Sequence, residues 1–178
     1  MSALWFPDNT VLCNFAAAGN LNLLRDLIDG RGRWTEAIAY EVSRSARVHP
    51  ALGDIPGAGW LGDPIAISLD ESMRVEAIRV AALGGARADP LQHRGEAETC
   101  YVIRHVTGIR ESVLITDDEA AYDFGRQLGI LTWDTRTLVE NLVANTTLNA
   151  VDAFALFMAM LDAGRSPRRP PASPRELA

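Results

Sequence analysis

Asp117 and Asp118 directly follow the apolar run Ser112-Val113-Leu114-Ile115-Thr116, and Asp8 follows Leu4-Trp5-Phe6-Pro7 in the same manner. A short β-rich run that ends in an acid delivers a carboxylate to the end of a strand, where open α/β sheets keep their ligand crevices. Between these two ends in sequence lie Glu41 and the segment Gly95-Glu96-Ala97-Glu98. Carboxylates that converge in space repel one another, so the pattern points to a hard cation such as Mg²⁺ or Mn²⁺ held by several of Asp8, Glu41, Glu96, Glu98, Asp117 and Asp118. Such a centre suits phosphodiester hydrolysis, which needs an activated water, stabilisation of charge on the phosphate and help for the leaving oxygen.

Each acid also has a plainer use. Asp8 and Asp118 precede helical stretches and fit as N-caps. Glu96 and Glu98 fall early in a helix, where acids favour the macrodipole. Glu41 fits a solvated helix face. The conjunction, rather than any single acid, carries the reading.

The elements that must position these acids follow from periodicity and punctuation. Thr10 to Ala18 reads as a helix stopped by Gly19. Leu21, Leu23, Leu24, Leu27 and Ile28 form an apolar stripe stopped by Gly30. Arg33-Trp34 fits a short strand, and Thr35 caps a helix from Glu36 to Ala46. The Pro- and Gly-rich stretch from Arg47 to Gly62 predicts an irregular loop. Pro64 to Leu69 fits a strand or an extended crossing, Asp70 the cap of a helix to about Leu83, and Gly84 to His93 a loop. A helix from Gly95 to about Gly108 carries Glu96 and Glu98. The strand Ser112–Thr116, a helix Asp118–Leu128, a short strand Ile130–Thr132, a helix from Asp134 to about Ala144 and a last helix Leu148–Ala163 complete the order. Strands alternating with helices predict an α/β fold: a parallel sheet with right-handed crossovers, flanked by helices in three layers. On the last helix, Val151, Phe154, Ala155, Met158 and Leu161 fall at helical spacing and predict its apolar stripe. The segment 164–178, rich in Pro, Arg and Ser, predicts a disordered tail dispensable for folding.

With 178 residues the chain fits one domain, over 1–163, with a core large enough to be stable. Its net charge of −6 speaks against a passive nucleic-acid-binding module. It leaves room for a nuclease whose acids are neutralised by metal and whose arginines line a groove. All 17 basic residues are arginine. Cys13 and Cys100 read as small buried hydrophobes, and no Cys/His spacing suits zinc. His49, His93 and His105 are scattered and form no spaced pair. With no basic region leading into an apolar run, and no apolar stretch long enough to span a bilayer, the expectation is a cytoplasmic protein.

Over residues 4 to 135 the chain resembles the PIN domain family, the fold of the VapC-type toxin ribonucleases. Asp8-Asn9-Thr10-Val11-Leu12 is similar to the family's opening Asp-x-x-Val-Leu after a strand. Glu41, in Glu36-Ala37-Ile38-Ala39-Tyr40-Glu41-Val42, takes the place of its second acid. Gly95-Glu96-Ala97-Glu98 matches, letter for letter, the segment that opens a helix in one branch. Ile115-Thr116-Asp117-Asp118-Glu119-Ala120-Ala121 and Leu128-Gly129-Ile130-Leu131 match that branch's next strand end and turn. The resemblance implies a PIN-like three-layer sandwich and a Mg²⁺- or Mn²⁺-dependent endoribonuclease, dimeric, and silenced by a small antitoxin. It implies that Asp8, Glu41, Glu98 and Asp118 form the catalytic acid pocket, with Glu96 and Asp117 as neighbours or substitutes. Thr10 and Thr116 would orient carboxylates or waters. Asn9 and Thr10 depart from the usual types, which predicts looser support for Asp8. Trp133 and Asp134 stand after Thr132 where the branch has Gly-Thr, and 47–93 matches poorly. Arg44, Arg47 and Arg94 neighbour the acids in sequence and are the expected phosphate contacts. Two rival readings are a non-catalytic interaction protein on the same fold and a metal-dependent phosphatase of another α/β fold. The second lacks its usual acid two residues after Asp8, where Thr10 stands.

Overall fold

The computed structural model describes residues 3–106, 108–109 and 111–178. Three short strands, β1 (Trp5–Pro7), β2 (Val113–Ile115) and β3 (Leu131–Trp133), form a parallel sheet in the order β1-β2-β3. Trp5 pairs with Val113, and Val113 with Leu131. Two isolated parallel bridges extend the array beyond β1. Gly32 pairs with Trp5, and Ile65 pairs with Thr35. The expected strands at Arg33-Trp34 and Pro64–Leu69 are thus reduced to single bridges, in chain interrupted by glycine and proline.

Nine helices surround the sheet among the described residues: α1 (Asn9–Ala17), α2 (Leu21–Ile28), α3 (Glu36–Ser45), α4 (Ile55–Ala58), α5 (Leu69–Ala81), α6 (Arg94–His105), α7 (Glu119–Gln127), α8 (Thr135–Ala144) and α9 (Ala150–Asp162). Alternation along the strands divides the core in two. Trp5, Val113 and Ile115 pack with the apolar faces of α1, α2, α3, α8 and α9. Phe6 and Leu114 pack on the opposite face with Cys100, Val102 and Ile103 of α6 and with Phe124 of α7. Both cysteines are free and buried, as expected. No described helix is long and apolar enough to cross a membrane.

Caps explain several boundaries. Asp8, Thr35, Asp118 and Asp134 each accept a hydrogen bond from a backbone N–H in the first turn that follows. Helix α5 begins one residue before the expected cap. Ser68 and Glu71 form a reciprocal capping box there, leaving Asp70 in the first turn. The expected irregular loop 47–62 contains a 3-10 turn (Pro50–Asp54) and α4, each with Pro near its start.

Two expectations at the C-terminus fail. The buried stripe of α9 is Ala153, Leu156, Phe157 and Met160, while Val151 is 64% exposed. The helix is rotated from the expected face because it packs on α1 and α8 and is covered in turn by the segment after it. That segment, expected to be disordered, is docked. Arg165 Nε donates to Asn14 Oδ1 at 3.0 Å, and the Arg169 guanidinium holds Asp134 Oδ2 at 3.0 and 2.7 Å. A final 3-10 turn (Pro174–Leu177) places Leu177 in the core at 4% exposure. Composition alone hid this, because arginines can order a Pro-rich segment when buried carboxylates await them.

Candidate active site

The ends of β1 and β2 lie side by side, and the backbone N–H of Asp8 donates to Ile115 C=O at 2.8 Å. This register brings Asp8 and the Thr116–Asp118 segment together at the carboxyl edge of the sheet, where α/β folds place ligands. Two threonines lock the arrangement. Thr10 Oγ1 donates to Asp8 Oδ2 at 2.6 Å and accepts the Asp117 N–H at 3.4 Å. Thr116 Oγ1 donates to the same Asp8 oxygen at 3.2 Å and accepts the Asp118 N–H at 3.1 Å. Asp8 is therefore firmly held, and the looser support expected from the Asn9-Thr10 exchange is not found. Its other oxygen, Oδ1, is buried with no hydrogen-bond partner.

Helices α3 and α6 close the site from the other side. Glu41, late in α3, accepts the Gly95 N–H at 3.1 Å. A Cβ at Gly95 would stand 2.8 Å from Glu41 Oε1, so the close approach of the helices requires glycine here. Glu96, in the first turn of α6, is 8% exposed. Burial, then the charge of Asp8, raises Glu41 to about 8 and Glu96 to about 9. Burial also raises Asp8, against the opposing effect of its Thr10 and Thr116 hydrogen bonds. Glu41 and Glu96 hold too few donors to be carboxylates comfortably.

His93 completes the group. Its Nδ1 lies 3.6 Å from Glu96 Oε1 and 3.7 Å from Asp118 Oδ2. His93, Glu96 and Asp118 offer ligand atoms that all lie within 4.8 Å of one another. The sequence reading missed His93, since it belongs to no spaced histidine pair. Its only local signal is its place two residues before Gly95-Glu96.

Other expected residues serve elsewhere. Asp117 points away from the cluster. It accepts from Asn14 Nδ2 at 2.6 Å, from the Thr135 hydroxyl and N–H, and from the Arg168 N–H at 3.2 Å. With four donors on its two oxygens it braces the sheet end against α1, α8 and the C-terminal segment, and it does not fit as a metal ligand. Glu98, expected in the pocket, accepts the Ala37 N–H at 3.1 Å and lies 3.4 Å from Arg94 Nε, tying α6 to the start of α3. Glu96 is the member of the pair that faces His93 and Asp118. Arg94, expected at phosphate, is engaged by Glu98 and donates to Ser72 Oγ at 2.9 Å. Arg44 and Arg47 are exposed and, with Asn9, Glu41, Ser45 and Val48, line an open groove of about 410 Å³ beside the acids.

Compared with family models, curated proteins and solved structures, the chain matches none.

Proposed function

We propose that this chain is a metal-dependent endoribonuclease of the PIN type, hydrolysing RNA phosphodiester bonds, and that it acts as the toxin of a toxin–antitoxin pair and as a homodimer. The observation that carries the hydrolase reading is the buried, unpartnered Oδ1 of Asp8, set among Glu41, Glu96 and Asp118 at the end of a parallel sheet. A buried polar atom without a partner costs about 1–3 kcal/mol. That cost, together with acids raised to about 8 and 9, marks a place built for an added positive charge.

A divalent cation would be held by Asp8, Glu96 and Asp118, with Glu41 beside it; Glu96 and Asp118 already bring ligand atoms within 4.8 Å of each other. Bound there, a cation would neutralise the clustered charge and lower the pKa of a coordinated water toward neutrality. The chain's own residues do the rest. Thr10 and Thr116 fix Asp8 Oδ2 and leave Oδ1 to face the cluster. Glu41 lines the groove and would exchange a proton there with the attacking water or the leaving oxygen. Arg44 and Arg47 stand along the groove as contacts for the phosphates of a single strand.

The test is cleavage of a labelled RNA by purified protein with Mn²⁺, with EDTA, and with Asp8→Asn as a matched control. The proposal requires cutting that EDTA stops, that Mn²⁺ restores and that the variant lacks. Cleavage equal in wild type and Asp8→Asn would come from another protein or another site, and the reading would fall.

A further inference from the structure

We infer that His93 is a direct ligand of the cation, which makes this a mixed nitrogen and oxygen centre that takes Mn²⁺ in preference to Mg²⁺. The inference rests on the reading of the acid cluster as a cation site and adds which cation it takes.

Three observations converge on His93. The first is distance. Its Nδ1 stands 3.6 and 3.7 Å from one oxygen each of Glu96 and Asp118. Donors about 2.2 Å from an octahedral ion lie about 3.1 Å apart when adjacent and about 4.4 Å apart when opposite. A set of atoms all within 4.8 Å of one another needs only small side-chain rotations to reach that pattern. The unpartnered Asp8 Oδ1, on a residue that is 3% exposed, lies outside that set and would be the fourth donor.

The second is backbone strain. His93 occupies the left-handed region at φ 57°, ψ 19°, at the entry of α6, and its side chain makes no cap hydrogen bond. A non-glycine residue there costs about 1 kcal/mol or more and persists only where its surroundings impose it. The imidazole stands against the acids instead.

The third is the fastening of the loop that leads into His93. Arg79 of α5 is fully buried. Its Nη1 donates to the carbonyls of Ala86, Asp89 and Gln92 at 3.1, 2.9 and 3.1 Å. Glu76 holds the other edge of the guanidinium through two contacts of 2.8 Å. Gln92 Oε1 in turn accepts the Ala86 N–H at 2.9 Å. Gly85 admits the guanidinium, since a Cβ there would stand 2.5 Å from Nη1. One buried charge thus fastens the loop 84–92, whose next residue is His93. A ligand fixed in this way keeps its geometry without the ion.

Selectivity follows from ligand chemistry. Mg²⁺ prefers oxygen and sheds its waters reluctantly, whereas imidazole favours transition-metal ions. One nitrogen among carboxylates therefore biases the centre toward Mn²⁺. Iron(II) and cobalt(II) share this preference, and Mn²⁺ is the convenient probe.

The experiment titrates the full chain with Mn²⁺ and separately with Mg²⁺ by calorimetry, without RNA, and repeats both with His93→Asn. Asparagine tolerates the left-handed backbone and replaces the nitrogen by an amide oxygen. Pulsed electron paramagnetic resonance of the Mn²⁺ complex reads nitrogen coupling directly. Wild type should bind Mn²⁺ at least about tenfold tighter than Mg²⁺ and show one coupled histidine nitrogen. His93→Asn should lose that coupling and about tenfold in Mn²⁺ affinity, with Mg²⁺ affinity little changed. Mn²⁺ bound without nitrogen coupling, or with equal affinity in the two proteins, would make His93 a mere ionic neighbour and overturn the inference. Failure to bind either ion, in protein shown to be folded, would overturn it as well. Binding as expected without RNA cleavage would refute the nuclease reading while leaving the metal ligand in place.

Discussion

Asp117 and Asp118 are neighbours in sequence and opposites in chemistry. Asp117 sits in a region where acids are matched with donors, although burial still raises its own carboxyl above the usual range. Four donors fill its oxygens, and nearby Asp134 is held by the Thr137 N–H and by Arg169. Burial would raise Asp134, yet these partners hold its carboxyl below the usual range. Arg168 adds its guanidinium over the Tyr122 ring at 4.2 Å, and its Nη1 approaches Glu119 at 2.6 Å without the alignment of a hydrogen bond. Asp118 opens the other region. There Glu41 and Glu96 have few donors, Asp8 keeps one oxygen without a partner, and burial raises all three. One region uses acids to hold the chain together. The other accepts an electrostatic cost that serves no purpose in folding, as expected of a binding centre.

The contrast breaks most completely at Asp8. Asp8→Asn should reduce metal-dependent RNA cleavage at least about 100-fold, as loss of a metal ligand and of clustered charge would. Gel-based cleavage rates in Mn²⁺ check it. Truncation after Gly164 attacks the matched region. It strips Asp134 of Arg169 and removes Leu177 from the core, and should cost about 3–5 kcal/mol by urea unfolding. Asp117→Asn is milder, since the shape stays but an amide N–H₂ faces donors; about 2 kcal/mol is expected. Smaller still, Glu98→Gln should lower cleavage far less than Glu96→Gln, because Glu98 is tied to α3 and Arg94.

Much of this division was legible in the sequence. The strand-end acids, the caps at Asp8, Thr35, Asp118 and Asp134, and the order of elements follow from local pattern, because capping and hydrophobic period act over a few residues. The choice between Asp117 and Asp118 was not legible. It depends on Asn14, Thr135 and Arg168, which lie 103, 18 and 51 residues away. Glu96 and Glu98 differ for the same reason: a two-residue step on a helix turns one toward His93 and the other toward Ala37. The tail was misjudged because composition reports what a segment can bury alone and not the buried carboxylates it meets. His93 escaped notice because the loop that orients it is set by Arg79, from another helix.

The most direct test of the contrast is the metal-free pH dependence of thermal melting for wild type, Glu96→Gln and Asp117→Asn. Glu41 and Glu96 stand at about 8 and 9 when folded, against ordinary values of 4.5. The folded state therefore binds more protons than the unfolded chain above pH 4.5, and stability falls as pH rises. The contribution is fully present below pH 4.5 and is lost as pH climbs through 8 to 9. Wild type should lose several degrees of melting temperature between about pH 5 and pH 9. Glu96→Gln should melt higher than wild type, by about 1–3 kcal/mol at pH 7, and show a shallower pH slope. Asp117→Asn should melt lower than wild type, because its hydrogen-bond donors lose their acceptor. If Glu96→Gln instead melts lower than wild type, as Asp117→Asn does, the acid cluster is a structural network like its neighbour, and the candidate active site is not one.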